Sequence, residues 1–245
     1  MRKYDLGFIS DELIFDHVKN TIEQYRCAID LASFNKNIID PIKLTFDAKV
    51  YGQTLEQAIE AECIRQIDKS NNNVIGYFHQ HLFRIVGDGW EVPKAGFDII
   101  NNDRHIYVVL KDKCCTMSAS QAAKTYIVMQ DQLLRDSKAT CLLVEIFAEQ
   151  SQNQKWTPPT PRVPYSHERI RHVSIDFFYE LVFGDPLAFL KLCQKLPLII
   201  DDVLAVDSKK KIHTTINQEL AQISPDLSKS IFQLAFRNYE GFERF

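Results

Sequence analysis

The sequence predicts an α/β fold with a central sheet and flanking helices. In the middle of the chain the hydrophobic pattern changes from helical spacing to short runs rich in β-branched and aromatic residues. The resulting order of helix, three strands, helix and strand indicates the α/β class. Of 245 residues, 45% are hydrophobic and 25% charged, so the chain suits one large domain or two small ones and is not disordered.

The N-terminal region, residues 1–53, is predicted to be helical. Asp11 is placed to cap a helix whose apolar residues recur at helical spacing as far as Tyr25. The central region, residues 54–150, then combines helices and strands. It opens with a capping-box pattern at Thr54, which starts a helix over 55–68.

The asparagine-rich run 69–73 is expected to end that helix. Four strands and one helix follow. The predicted strands cover Val74–Phe78, Ala95–Ile100, His105–Lys111 and Ala139–Phe147, and a helix capped by Ser118 runs to Leu134 before the last strand.

The second and third predicted strands form a hairpin, because the residues between them have a turn composition. A turn centred on Asn102-Asp103 places residue 98 opposite residue 107. Side chains alternate along a strand, so Asp98 is expected to share a sheet face with Val109 and Lys111.

The C-terminal region, residues 151–245, begins with a proline-rich stretch, Trp156–Pro164, which is either a functional arm or a passive connector. A helical subdomain follows. The predicted helices of this subdomain cover Ile175–Phe183, Leu187–Leu196 ending before Pro197, Ile199–Val206, and a stretch near Leu227–Tyr239. We expect the three regions of the chain to form one compact unit.

Charge is unevenly distributed along the chain. The formal net charge of −3 excludes a polybasic protein that coats nucleic acid. Residues 104–124 carry Arg104 and three lysines against one aspartate, and residues 155–172 carry Lys155 and three arginines against one glutamate, a net +3 in each window. These two windows predict a local surface for nucleic acid, and the rest of the chain carries −9.

The cellular compartment is predicted from the membrane and export signals that the sequence does not contain. No run reaches the roughly 18 apolar residues that a membrane span needs. Asp5, Asp11 and Glu12 stand where a signal peptide needs apolar residues, and the six cysteines form no CxxC pair. We therefore expect a cytoplasmic protein with reduced thiols.

An acid and a lysine on one face of neighbouring strands suit phosphodiester hydrolysis. A carboxylate can hold Mg²⁺ against a phosphate oxygen, and a lysine can orient the attacking water. Further acids, Glu56, Glu60 and Glu62, lie on the preceding helix. Spacing alone is a weak pattern, because a surface Asp and a surface Lys on an ordinary strand pair look the same.

A family resemblance adds to this pattern. The stretch GWEVPKAGFDIINNDRHIYVVLKDK resembles the PD-(D/E)XK nuclease core. Most of the chain resembles the SinI-like type II restriction endonucleases. The segments that carry this resemblance are YDLGFISDELIFDHV, DPIKLTFDAKVYG, CIRQIDKSNNNVIGYFHQ, KTYIVMQDQLL and RIRHVSIDFFYELVFGDPLAFLKL.

The resemblance implies a restriction-endonuclease-like core, a mixed sheet flanked by helices, with additional N- and C-terminal helices. It implies a Mg²⁺-dependent enzyme that cuts duplex DNA at a GC-rich palindrome of the GGNCC type, acting as a homodimer. A cognate DNA methyltransferase would belong to the same system. By the same resemblance, Asp98 binds the metal, Lys111 positions the water, and Glu62 is a further catalytic and metal-binding acid, with Glu60 competing.

One position departs from the family pattern. The acid expected two residues before the lysine is Val109, and an isopropyl group cannot bind Mg²⁺. Asp112 points to the opposite face of the strand, whereas Glu145 on the following strand is better placed. We expect either an impaired enzyme or a catalytically dead, sequence-specific DNA-binding protein of the same fold; a helical interaction protein is the alternative from another class.

Contacts with DNA are assigned to basic and amide side chains in and beside the two basic windows. Arginine suits bidentate contact with guanine, so a GC-rich target favours arginines for recognition. The predicted recognition residues are Arg162, Arg169 and Arg171, and the predicted phosphate contacts are Lys113 and Lys124, with Gln121 beside them. His79 and His81 have metal-like spacing but no third ligand nearby, so packing is the favoured interpretation.

Overall fold

A computed structural model describes residues 2–37, 39–86, 88–112, 117–158, 166–206, 212–236 and 238–240. The chain forms two compact units, each assembled from two separate stretches. The first consists of residues 1–22 and 75–207, and the second of residues 23–74 and 208–245. This division differs from the three consecutive regions and the single unit that the sequence predicts.

Nine helices and eight strands are present in the described residues. The helices are α1 (Asp11–Gln24), α2 (Leu31–Asn35), α3 (Pro41–Val50), α4 (Leu55–Val86), α5 (Ala119–Arg135), α6 (Ile175–Phe183), α7 (Ala188–Val206), α8 (Ile216–Ile223) and α9 (Leu227–Phe236). The strands are β1 (Ala28–Ile29), β2 (Trp90–Glu91), β3 (Ile99–Asn101), β4 (Ile106–Lys111), β5 (Thr140–Glu145), β6 (Asn153–Lys155), β7 (Ile170–Ser174) and β8 (His213–Thr214).

The first unit contains a six-stranded mixed sheet in the order β2-β3-β4-β5-β7-β6. The central strands β4, β5 and β7 are parallel, and β2, β3 and β6 pair antiparallel with their neighbours. A mixed sheet with helices on both faces confirms the predicted α/β class.

Both faces of this sheet are covered by apolar side chains. On one face, Val108, Leu142 and Val173 belong to a cluster that also includes residues of α1, α6, α7 and the end of α4. On the other face, residues of α5 such as Tyr126 pack with alternate residues of β4 and β5 and with Trp156. Burial on both faces explains why β4 and β5 read as continuous apolar runs rather than alternating ones.

The second unit has its own core. Apolar residues of α3, α4, α8 and α9 pack together, with Phe34, Ile59 and Leu220 fully buried among them. The short strands β1 and β8 pair in parallel at Ala28 and His213. None of the helices in the described ranges has the length and apolar character needed to cross a membrane.

Two of the three predicted capping signals are confirmed, those at Thr54 and Ser118. The side chain of Gln57 accepts from Thr54 N at 3.0 Å and Thr54 Oγ1 accepts from Gln57 N at 3.3 Å, as the capping box requires. Ser118 and Gln121 form the same reciprocal pair at the start of α5. At α1 the cap is one residue earlier than predicted, because Ser10 Oγ accepts from Leu13 N at 3.2 Å.

The asparagine run does not end α4, so the predicted stop at 69–73 and the strand Val74–Phe78 are wrong. Asn71 instead exchanges two hydrogen bonds with the backbone of Arg26, and Asn72 donates to Asp68. Because these tertiary and i,i+4 contacts occupy the amide groups, they do not compete with the helix backbone.

Pro197 likewise does not end a helix. α7 continues through it as one element, although the two predicted helices stop before it and restart after it. A proline removes one backbone hydrogen bond from the helix interior. Leu192 and Ile199 are buried on either side of it, so packing of the apolar face outweighs that loss.

The predicted hairpin exists, but its register is different. Ile100 pairs with Tyr107, so residue 98 is not opposite residue 107. The four-residue turn covers residues 102–105 rather than the predicted 101–104, and it closes with His105 in the left-handed region at φ 54° and with Asn101 Oδ1 accepting from Arg104 N. The antiparallel part of β3 is also shorter than the predicted strand Ala95–Ile100.

Two histidines are buried in the first unit. His17 Nε2–H donates to the Phe78 carbonyl at 2.9 Å, and His79 Nδ1 lies 2.8 Å from the Tyr179 hydroxyl. Burial, together with the nearby His17, lowers the pKa of His79 to about 4. His81 stacks on Tyr77, so both histidines of the FHQHLF run have packing contacts, as predicted.

We expect stability to fall as the pH drops from about 6.5 towards 4. In that pH range, His79 takes up a proton in the unfolded chain but not in the folded chain. The free energy of unfolding is therefore ~2 kcal/mol lower at pH 5 than at neutral pH. Denaturant unfolding of the wild type and of His79→Asn, at pH 7 and pH 5, measures the effect. The variant should lose less stability between the two pH values; equal losses would contradict the assignment.

Candidate active site

The three parallel strands β4, β5 and β7 end at the same level. Lys111 pairs with Glu145, and Glu145 pairs with Ser174, so the last residues of the three strands form one row. The carboxyl ends of parallel strands are where open α/β sheets bind ligands. This row therefore marks the edge of the sheet at which a site is expected.

Asp98 is held against β4 close to this row. Its backbone N–H donates to Val108 O at 2.8 Å, and its Oδ2 accepts from Leu110 N at 2.8 Å. The carboxylate thus binds the backbone immediately before Lys111. The structure brings together the acid and the lysine that the sequence singles out, although not through the predicted register.

Val109 lies inside the apolar layer between the sheet and α5. It is buried with Ala122, Tyr126 and Met129 of α5, and it pairs with Leu143 of β5. The position that the family pattern assigns to an acid is therefore a packing position in this chain.

Glu145 is the buried carboxylate of the row, with 7% of its surface exposed. His172 Nε2–H donates to its Oε2 at 2.8 Å, and the Gln152 side-chain amide lies 3.2 Å from His172 Nδ1. Glu145 and Lys111 are register partners on adjacent strands, which places them on the same face.

Oxygen ligands for a hard divalent cation are present at this edge. The described residues contain no group of three His, Cys, Asp or Glu side chains arranged to hold a metal. Mg²⁺, however, is usually bound through one or two carboxylates, with water and substrate phosphate completing its coordination. Asp98, which directly precedes β3, and Glu145, at the end of β5, approach β4 from its two sides and are a donor set of that chemistry.

The other predicted acids lie in the second unit. Glu62 accepts from Arg65 Nε at 2.6 Å and from Gln66 Nε2 at 3.0 Å. Burial tends to raise the pKa of the Glu62 carboxyl, but the hydrogen bonds from Arg65 and Gln66 lower it below its usual value. Glu60 is exposed and accepts from Asn217 Nδ2 at 3.4 Å.

The predicted DNA contacts are only partly described. Lys113 and Arg162 lie outside the described residues. Lys124 is exposed on α5, the helix that follows β4 in the chain. The Gln121 side-chain oxygen accepts from Ser118 N in the capping box, so this side chain has a structural role.

Arg169 and Arg171 bind their own chain. Arg169 Nη1 donates to the carbonyls of Ser137 at 2.5 Å and Ala139 at 2.9 Å. Arg171 donates to the side chain and backbone of Asn153. Both stand at the amino end of β7, whereas Lys111 and Glu145 stand at the carboxyl ends of their strands.

Comparison with known proteins gives a consistent set of relatives. The model of the Eco47II restriction endonuclease family matches residues 6–205. The chain is 27% identical over 259 residues to the type II restriction enzyme Sau96I of Staphylococcus aureus, covering 97% of this chain and 98% of that protein. It is 29% identical over 214 residues to the type II restriction enzyme Eco47II of Escherichia coli, covering 82% and 88%.

Arg169→Ala should lower the free energy of unfolding by about 1–2 kcal/mol, because two backbone carbonyls lose a charged donor. Chemical denaturation measures this change. Lys124→Ala is the matched control, since Lys124 is exposed on a helix surface, and we expect it to change stability by less than ~0.5 kcal/mol. Equal stability of Arg169→Ala and wild type would contradict the structural role.

Proposed function

Because the chain belongs to the Eco47II restriction endonuclease family, we propose that it is a Mg²⁺-dependent type II enzyme that hydrolyses phosphodiester bonds of duplex DNA. The proposed target is a short GC-rich palindrome of the GGNCC type. The observation that carries the proposal is the family match together with Asp98 bound to β4 directly before Lys111. This arrangement fits a PD-(D/E)XK nuclease core.

The proposed chemistry gives Asp98 and Lys111 separate roles. Asp98 binds the cation, and the Lys111 ammonium orients the water that attacks phosphorus and stabilises the charge that develops on the phosphate. Mg²⁺ supplies a lowered pKa for bound water and neutralises charge on the phosphate oxygens. The water gives a proton to solvent as its oxygen bonds to phosphorus, the P–O bond to the leaving sugar oxygen breaks, and that oxygen takes up a proton from solvent.

Glu62 stays part of the proposal as a further catalytic and metal-binding acid, with Glu60 as its competitor. The hydrogen bonds from Arg65 and Gln66 support an ionised Glu62 at neutral pH. An ionised carboxylate is the form that binds a cation.

We also propose that Val109 impairs the enzyme. Its side chain offers no oxygen, and its burial under α5 leaves no carboxylate at that position of β4. The second candidate function is a catalytically dead, sequence-specific DNA-binding protein of the same fold, which the same observation favours.

The proposed partner is double-stranded DNA, bound by a homodimer whose two-fold symmetry matches a palindrome. Lys124, with Lys113, is proposed to contact phosphates, and Arg162 is proposed to contact guanine, whereas Arg169 and Arg171 bind their own chain. The cognate DNA methyltransferase is proposed to act on the same sites without contacting this chain.

Binding and cutting together test the function. We expect a gel shift on a GGNCC duplex that exceeds the shift on a scrambled duplex and weakens steeply with salt. We expect slow plasmid cleavage that needs Mg²⁺ and is lost in Asp98→Asn. Running Glu62→Gln and Glu60→Gln in parallel decides between those two acids. No binding to either duplex would contradict both nuclease and DNA-binding functions and favour a protein-interaction role.

Val109→Glu should raise the rate of plasmid cleavage at least tenfold, because a carboxylate then joins Asp98 beside Lys111; a tenfold rate is worth about 1.4 kcal/mol. It should also lower the free energy of unfolding, since a charge enters an apolar layer. Val109→Ala is the control for packing and should lower stability without raising the rate. Fast cleavage by the unmodified chain would contradict the impairment.

A further inference from the structure

Glu145 is the one buried carboxylate among the last residues of β4, β5 and β7, which are Lys111, Glu145 and Ser174. The apolar residues that precede it on β5, from Cys141 to Val144, are all buried. A charge at the end of such a strand is costly unless hydrogen bonds or a cation compensate for it. An apolar residue would fill a purely structural position here at lower cost, as Val109 and Leu143 do on the same face.

We propose that Glu145, oriented by His172, supplies the carboxylate that position 109 lacks and binds the divalent cation of this site together with Asp98. This inference rests on the proposed function, because it assumes that the site takes a cation. According to this proposal, the DNA cleavage that remains in a chain with Val109 depends on a carboxylate of β5 rather than on one of β4.

Position is the first support. The parallel register sets Glu145 directly beside Lys111, and the backbone continues the pairing, because Ile146 N donates to Lys111 O at 2.9 Å. Neighbouring strands are about 4.8 Å apart, so a glutamate side chain on β5 can reach over to the lysine on β4. Asp98 approaches β4 from the other side, through its bond to Leu110 N.

The hydrogen bonds to Glu145 are the second support. Gln152 Nε2 lies 3.2 Å from His172 Nδ1 and 3.3 Å from His172 Nε2, and His172 Nε2 lies 2.8 Å from Glu145 Oε2. Because an ionised carboxylate only accepts hydrogen bonds, the imidazole carries a proton on Nε2 and points it at Glu145. Carboxylates that bind metals are commonly oriented in this way by hydrogen bonds, and two carboxylate oxygens have lone pairs enough for both partners.

Divalent-cation dependence of DNA binding tests the proposal without relying on cleavage. Fluorescence anisotropy of a GGACC duplex, titrated with Ca²⁺ after EDTA treatment, gives the half-maximal Ca²⁺ concentration. We expect Glu145→Gln to raise it at least about tenfold, as Asp98→Asn does. The matched control is Glu149→Gln, which changes an exposed glutamate four residues further along and should leave the value unchanged.

A pair of substitutions tests the positioning role of His172. His172→Gln can still donate an amide N–H to Glu145, whereas His172→Leu cannot. We expect His172→Leu to raise the half-maximal Ca²⁺ concentration about tenfold and His172→Gln to restore most of the wild-type value. A merely structural role predicts equal values for the two variants whenever their unfolding curves coincide.

The outcomes separate this inference from the proposed function. A Ca²⁺ effect that Asp98→Asn weakens and Glu145→Gln does not would overturn the role of Glu145 and leave the nuclease function standing. DNA binding that is indifferent to Ca²⁺ in the unmodified chain would overturn the cation site of this inference and favour the catalytically dead DNA-binding protein. No DNA binding would overturn both this inference and the proposed function.

Discussion

Apolar burial on both faces of the parallel strands is the constraint on which the rest of the first unit depends. Clusters of buried residues cover one face of β4, β5 and β7 with α1, α6 and α7 and the other face of β4 and β5 with α5. In β4 and β5, charged side chains are therefore confined to the last residue of the strand. Because the three strands are parallel and in register, these ends coincide, and Lys111, Glu145 and Ser174 come together without any contact that is local in sequence.

The elements that could be predicted from the sequence are those whose signals are local. The capping boxes at Thr54 and Ser118 and the apolar run of β5 involve residues close together in the chain. Elements decided by distant contacts could not be predicted in this way. The asparagines of α4 are accommodated partly by the backbone of Arg26, and Pro197 is tolerated inside α7 because both sides of it are buried in a core. Strand β7 escaped notice because Arg171 and His172 interrupt its apolar pattern.

The candidate site likewise contains residues that the sequence predicts and contacts that it does not. Asp98 and Lys111 were available from the sequence, through the hairpin and the family resemblance, and the structure brings them together with a different register. The link between Glu145 and His172 joins β5 to β7, and pairing of parallel strands leaves no mark at any fixed spacing in the sequence. The basic window that contains Arg169 illustrates a limit of arguments from composition. Composition alone does not distinguish an arginine that binds DNA from one that binds backbone carbonyls of its own chain.

The packing of Val109 constrains how this chain could evolve. An acid at this position would have to be accommodated by Tyr126 and Met129 of α5, which contact the same layer. A mutation to an acid at this position therefore also lowers the stability of the fold, and selection acts on this loss together with any gain in cleavage rate. Because the valine packs against α5, replacing it by an acid without loss of stability is expected to require compensating substitutions in α5.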